Sequence, residues 1–210
     1  MRRVIDGILI SYADPFVLRF DALGASRAVL EQPMTLCDTV LAGAGAVSNG
    51  FLRAARHLDI RGNLSIADPK LVGSGNPNRC LYFDDADIGY PKATRLCAKA
   101  QGDFPDLQLD PFDGPFTDLV QARKRVRRVI VATDSRRVRR SIQQELPLEV
   151  LDASTTGVSE IIVHSHRQPT DGACLACIYR HIPDEHARER DIASGLGIDL
   201  ADVTSQGDCS

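Results

Sequence analysis

The chain has 210 residues, 43% hydrophobic and 25% charged, with a formal net charge of −3. That length can bury one core of ordinary size, and the composition excludes a disordered or collagenous chain. The near-balanced charge gives no electrostatic reason to expect nucleic acid or an anionic membrane, and no apolar run approaches the ~18 residues of a membrane span. The opening "MRRVIDGILISYADPF" pairs two arginines with a short apolar run, but Asp6 interrupts it and no small-residue cleavage site follows, so a cytoplasmic protein is expected. Six cysteines at this length suit reduced thiols or a metal site better than a disulfide framework.

From Asp38 the pattern becomes regular. Thr39 to Ala42 reads as a buried strand and Gly43-Ala44-Gly45 as a turn. An amphipathic helix follows, with Phe51, Leu52, Ala55 and Leu58 inward and Arg53, Arg56 and His57 outward, and a second strand ends at Asp68. Beyond a polar loop, "YPKATRLCAKA" is a helix candidate and "DLQLDPF" a strand candidate. "RRVIVATDS" is a β-branched strand opening on a polar turn, and "SRRVRRSIQQEL" is a helix that Pro147 stops. "LEVLDAS" and "SEIIVHSHR" add two strands, and "PDEHARERDIASGLGIDLADV" has helical composition with Gly195 or Gly197 as its stop. The alternation predicts an α/β fold: a Rossmann-like, doubly wound, largely parallel sheet with helices on both faces. The basic runs between 123 and 140 are expected to face solvent.

Gly43 and Gly45 leave a strand and open a helix, where backbone amides bind anions and side chains would keep a phosphate away. Asp68 ends the next strand, the place of the acid that bonds ribose hydroxyls. To this point an NAD site and an ATP site read alike. The loop "GNPNRC" then supplies Asn76 and Arg79, and "DADIGYPKA" brings Lys92 onto the next helix. An amide, a guanidinium and an ammonium around one site suit a triphosphate better than a dinucleotide's diphosphate.

In this order, Gly43-x-Gly45, Asp68, Asn76-x-x-Arg79, "DIGYPKA" with Lys92 and "VATDS" with Asp134, the chain resembles the ThiF/MoeB-type, ubiquitin-activating-enzyme-like adenylyltransferases, from about residue 38 to 140 and more weakly to 180. The resemblance implies ATP-dependent adenylation of the C-terminal carboxylate of a ubiquitin-like or sulfur-carrier protein. It implies that Gly43, Gly45 and Ala46 hold phosphates and Asp68 the ribose. Asn76, Arg79 and Lys92 would bind phosphate, and Asp134 would position Mg2+. It also implies a homodimer in which an N-terminal arginine, Arg19 in preference to Arg27, reaches the partner's site. One domain over 1–210 is expected: an N-terminal helical or dimer segment (1–37), a nucleotide-binding core (38–150), and C-terminal strands with a CxxC segment (151–210). Ala46 and Ser48 stand where the family usually has glycine, Lys70 where it has an acid, and Cys80 where glutamine is common. An NAD/FAD-binding oxidoreductase and an inactive binding module of the same fold are the alternatives.

Cys174 and Cys177 form a CxxC, half of a tetrahedral zinc site, to be completed by a later ligand such as Cys209 or by His164, His166, His181 or His186. Two structural cysteines, or a thiol that accepts the activated carboxyl, are the other readings of the pair. Cys37, Cys80 and Cys97 are expected as small buried residues. His164 and His166 share one face of a strand, lining a polar edge or binding metal. Arg139 is left with phosphate, carboxylate or no partner, and Asp134 with the alternative role of a helix cap.

Overall fold

The computed structural model describes residues 32–123, 126–155, 161–180, 190 and 193–199. Six strands form one sheet: β1 (Met34–Ala42), β2 (Ile60–Ala67), β3 (Leu107–Phe112), β4 (Arg128–Val131), β5 (Glu149–Thr155) and β6 (Ile161–Arg167). Their order is β3-β2-β1-β4-β5-β6. All neighbours are parallel except β5 and β6, which pair antiparallel. The helices are α1 (Ala46–Ala55), α2 (Lys92–Ala100), α3 (Phe116–Arg123), α4 (Arg136–Gln144) and the short α5 (Leu175–Ile178). The predicted α/β class and doubly wound sheet are those observed.

Alternation along β1 divides the core. Leu41 faces a cluster that joins Leu52 of α1, Ile66 of β2 and Leu96 of α2. Val40 and Ala42 face a second cluster with Leu119 of α3, Ile142 of α4 and Leu175 of α5. Both faces are therefore covered by helices, as a parallel sheet requires.

The structure corrects several expectations. β1 begins at Met34, five residues before the predicted start, because its pairing with β2 runs through an irregularity between Leu36 and Thr39, with Asp38 at φ 49°. The helix after the glycine turn ends at Ala55, so Leu58 falls in a turn and is half exposed. Cys37 is exposed, because it lies at that irregularity, whereas Cys80 and Cys97 are buried as expected. Helix α3 has no counterpart among the elements expected from the sequence. The segments 1–31 and 200–210 and most of the predicted C-terminal helix lie outside the described residues. Among the described residues, no helix is long and apolar enough to cross a membrane.

In this strand order the chain leaves β1 in opposite directions toward β2 and β4, and the crevice at that reversal, beyond the strands' carboxyl ends, is where such sheets bind ligands. The registers align these ends: Ala42 lies opposite Ala67 and Val131, and Val131 opposite Asp152.

Candidate nucleotide site

A cavity of about 640 Å³ opens at those strand ends, within the usual range for small-molecule sites. Its lining includes Ala42, Ala67, Ala132 and Ala153, small residues that end β1 and β2, follow β4 and lie within β5. Gly43, Gly45, Ala46, Asp68, Asn76, Arg79, Lys92 and Asp134, every described residue assigned to ATP from the sequence, line its wall. Arg19 and Arg27 lie outside the described residues.

The elbow after β1 needs its first glycine. Gly43 has φ +105°, and a Cβ there would stand 2.8 Å from the Ala132 carbonyl oxygen. A Cβ on Gly45 would meet nothing within 4 Å, so this residue keeps the approach to the α1 amides open. Asp68, nearly buried, ties the elbow to β2: its Oδ2 accepts the Ala44 amide at 2.7 Å and its Oδ1 the Lys70 amide at 2.8 Å. The loop that follows is closed at its base. The amide of Val72 donates to the Tyr90 carbonyl and that of Gly89 to the Val72 carbonyl, both at 2.8 Å. The Lys92 amide then donates to the Lys70 carbonyl at 3.0 Å, which brings α2's first residue beside the end of β2.

Within this loop Asn76 is buried and its Oδ1 accepts the Gly73 amide at 2.8 Å, which leaves its NH2 as the polar end for the cavity. Arg79 donates to the Gly75 carbonyl at 2.9 Å. Lys92 is only 5% exposed, yet among the described residues its ammonium has no ion-pair partner. Burial pushes the Cys80 thiol up, and the nearby Lys92 and Arg79 charges pull against it. Across the elbow, Ser135 caps α4, accepting the Val138 amide at 3.3 Å. Asp134 is thus released from the capping role, and its side chain is 71% exposed at the cavity.

One residue at the site was not legible from the sequence. Asn49, wholly buried on α1, donates to the Ala44 and Gly45 carbonyls at 3.3 and 2.9 Å and accepts the Tyr82 amide at 3.0 Å, so it ties the glycine elbow to the loop that carries Arg79. Arg139, for which the sequence left phosphate, carboxylate or no partner, is 4% exposed, unlike the solvent-facing run around it that was expected, and its partner is a carboxylate. It donates to Asp152 and to the Thr133 carbonyl, beside Asp134, while Tyr179 donates to the other Asp152 oxygen at 2.9 Å.

The model of one family matches this sequence over residues 33–204. The chain belongs to the ThiF family. Two curated relatives add detail to that membership. "Uncharacterized protein y4jF" of Sinorhizobium fredii is 27% identical over 170 residues, 80% of this chain and 33% of that protein. Human "Ubiquitin-like modifier-activating enzyme 7" is 29% identical over 170 residues, 69% of this chain and 17% of that enzyme. This ThiF chain therefore spans a third or less of these relatives. Among solved structures, Escherichia coli tRNA N6-threonylcarbamoyladenosine dehydratase, TcdA, has a TM-score of 0.49 and 18% identity, covering 76% of this chain and 63% of that one.

The ThiF chain's departures at the elbow do not close the site. Ser48 is fully buried and its hydroxyl turns back to donate to the Gly43 carbonyl at 2.6 Å, away from the cavity wall. Away from the cavity, the thiols of Cys174 and Cys177 lie 3.4 Å apart. Burial pushes Cys174 up, but hydrogen bonds from Cys177 and neighbouring amides hold it below the usual thiol range. Among the described residues no group of three or more His, Cys, Asp or Glu side chains is placed to hold a metal ion; His181, His186 and Cys209 lie outside them. His164 and His166 share a strand face, as expected, and hydrogen-bond each other at 2.9 Å. Burial lowers both imidazoles, that of His164 adding to the effect on His166.

Proposed function

We propose that this chain is an ATP-dependent adenylyltransferase that activates a carboxylate of a protein or peptide, and more finely the C-terminal carboxylate of a ubiquitin-like or sulfur-carrier protein. The observation that carries the nucleotide part is Lys92, a side chain 5% exposed on the cavity wall, whose ammonium has no ion-pair partner among the described residues. A cation held at a cavity wall with no carboxylate paired to it attracts an anion there, and a polyphosphate supplies one. Family membership supports the adenylation chemistry, and the name of the human relative supports a modifier protein as substrate.

On this reading the glycine elbow and the α1 amides face the phosphates, and Asp68, with lone pairs left after its two backbone bonds, takes the ribose hydroxyls. Asn76, Arg79 and Lys92 gather the polyphosphate from the other side. Asp134 offers one carboxylate to Mg2+, which usually binds through one or two carboxylates together with substrate phosphates. That ion, when bound, neutralises phosphate charge. The substrate carboxylate is already ionised and needs no general base. It attacks the α-phosphorus, an acyl–AMP bond forms, and pyrophosphate leaves with the electron pair of the broken bond. The protein's contribution is positioning and charge neutralisation.

The test is exchange of radiolabelled pyrophosphate into ATP, with magnesium, in the presence of small carrier proteins ending in a flexible glycine tail. Exchange is expected with one such carrier, and Lys92→Ala and Asp134→Ala should each reduce it by about a hundredfold or more without loss of fold. Undiminished exchange in both variants would refute the site. ATP binding without exchange for any carrier would mark a binding module instead.

A further inference from the structure

Lys70 stands where the family resemblance calls for an acid, and the site assignment above makes no use of it. The structure gives it a fixed base and a loosely held head. Its amide donates to Asp68 and its carbonyl accepts the Lys92 amide, so the backbone is clamped between the ribose acid and the phosphate lysine. Its side chain lines the cavity, and Nζ lies 4.0 Å from Oδ2 of Asp134. Lys70 follows β2 and Asp134 follows β4, on opposite sides of the β1 elbow, so the pair spans the place where a polyphosphate would enter. The two side chains are 56% and 71% exposed, and an ion pair this open and this long is weak. A nucleoside triphosphate brings several negative charges to the same spot and outbids one carboxylate for the ammonium.

Resting on the nucleotide reading, we infer that Lys70 is a phosphate-contacting residue: it pairs with Asp134 in the nucleotide-free protein and turns to the terminal phosphates of a bound nucleoside triphosphate. Asp134 is thereby freed for the divalent cation that accompanies the nucleotide. Lysine and metal are thus alternative cations at one carboxylate, and the lysine matters most when the metal is absent.

Calorimetric titration of wild type, Lys70→Ala and Lys70→Arg with ATP and with AMP, each in magnesium and in EDTA, tests this. Lys70→Ala should weaken ATP binding by about tenfold in EDTA, less in magnesium, and leave AMP binding and the melting temperature unchanged. Lys70→Arg should retain most of the ATP affinity. Wild-type ATP affinity in Lys70→Ala under both conditions would overturn the inference and leave the nucleotide reading intact. An equal loss for AMP and ATP would overturn it too, because the contact would then not be to the terminal phosphates. If wild type bound neither nucleotide, the nucleotide reading would fall and this inference with it.

Discussion

Asn49 uses both ends of its buried amide to join the glycine elbow to the loop that carries Arg79. Removing its side chain leaves the part-buried Tyr82 amide without its acceptor and takes a donor from the Ala44 and Gly45 carbonyls, at a cost of about 1–3 kcal/mol. Asn49→Ala should lower the denaturation midpoint and weaken ATP binding more than AMP binding, since the loop that shifts carries Arg79. Equal losses for both ligands would reduce Asn49 to a packing role. The residues proposed to hold a ligand from their type and spacing, Asp68, Asn76, Arg79, Lys92 and Asp134, were read from the sequence and line one cavity. Asn49 was not, because its acceptor role is defined by an amide 33 residues away and a buried polar residue leaves no mark on an apolar periodicity. For Arg139 the sequence leaves phosphate, carboxylate or no partner open, because the choice depends on β5 bringing Asp152 beside it.

At the level of elements, the stretch from Leu71 to Pro91 is held at its ends by a bridge between those two residues and internally by charge. Asp84 caps the 3₁₀ turn Asp85–Asp87, and the fully buried Asp87 accepts from Lys99 at 2.5 Å and from Arg95 at 2.7 Å. Burial pushes the Asp87 carboxyl up, but the Lys99, Asp84-amide and Arg95 hydrogen bonds outweigh it and bring it to about 2 from 3.8. The folded pKa is depressed, so the unfolded chain takes up the proton first as acid is added. The contribution, about 2 kcal/mol, is fully present above pH 3.8 and lost as pH falls toward 2. Urea unfolding as a function of pH should show a flatter acid limb in Asp87→Asn than in wild type; identical limbs would remove Asp87 from the account. Strands with dense β-branched or apolar runs, such as β4, were readable from sequence. Helix α3 was not, because only Phe116 and Leu119 are buried on it and "DGPF" reads first as a turn. The spacing of Leu58 continues the helical pattern, yet the helix ends at Ala55 and Leu58 does not join its inward face.

For the whole molecule, alternating strands and helices announced a doubly wound sheet, but the reversed direction of β6 depended on pairing with β5 that no local pattern encodes. The fold's consequence for function is that one crevice, at the reversal between β2 and β4, collects residues from positions 42 to 179. On the proposed function, that crevice takes a nucleoside triphosphate against the ammonium of Lys92. Equilibrium binding of ATP to wild type and Lys92→Ala, with NAD+ as competitor, measures this directly. The account predicts ATP binding that NAD+ does not displace and a loss of about tenfold or more in Lys92→Ala; ATP bound equally well by both proteins, or displaced by NAD+, would contradict it.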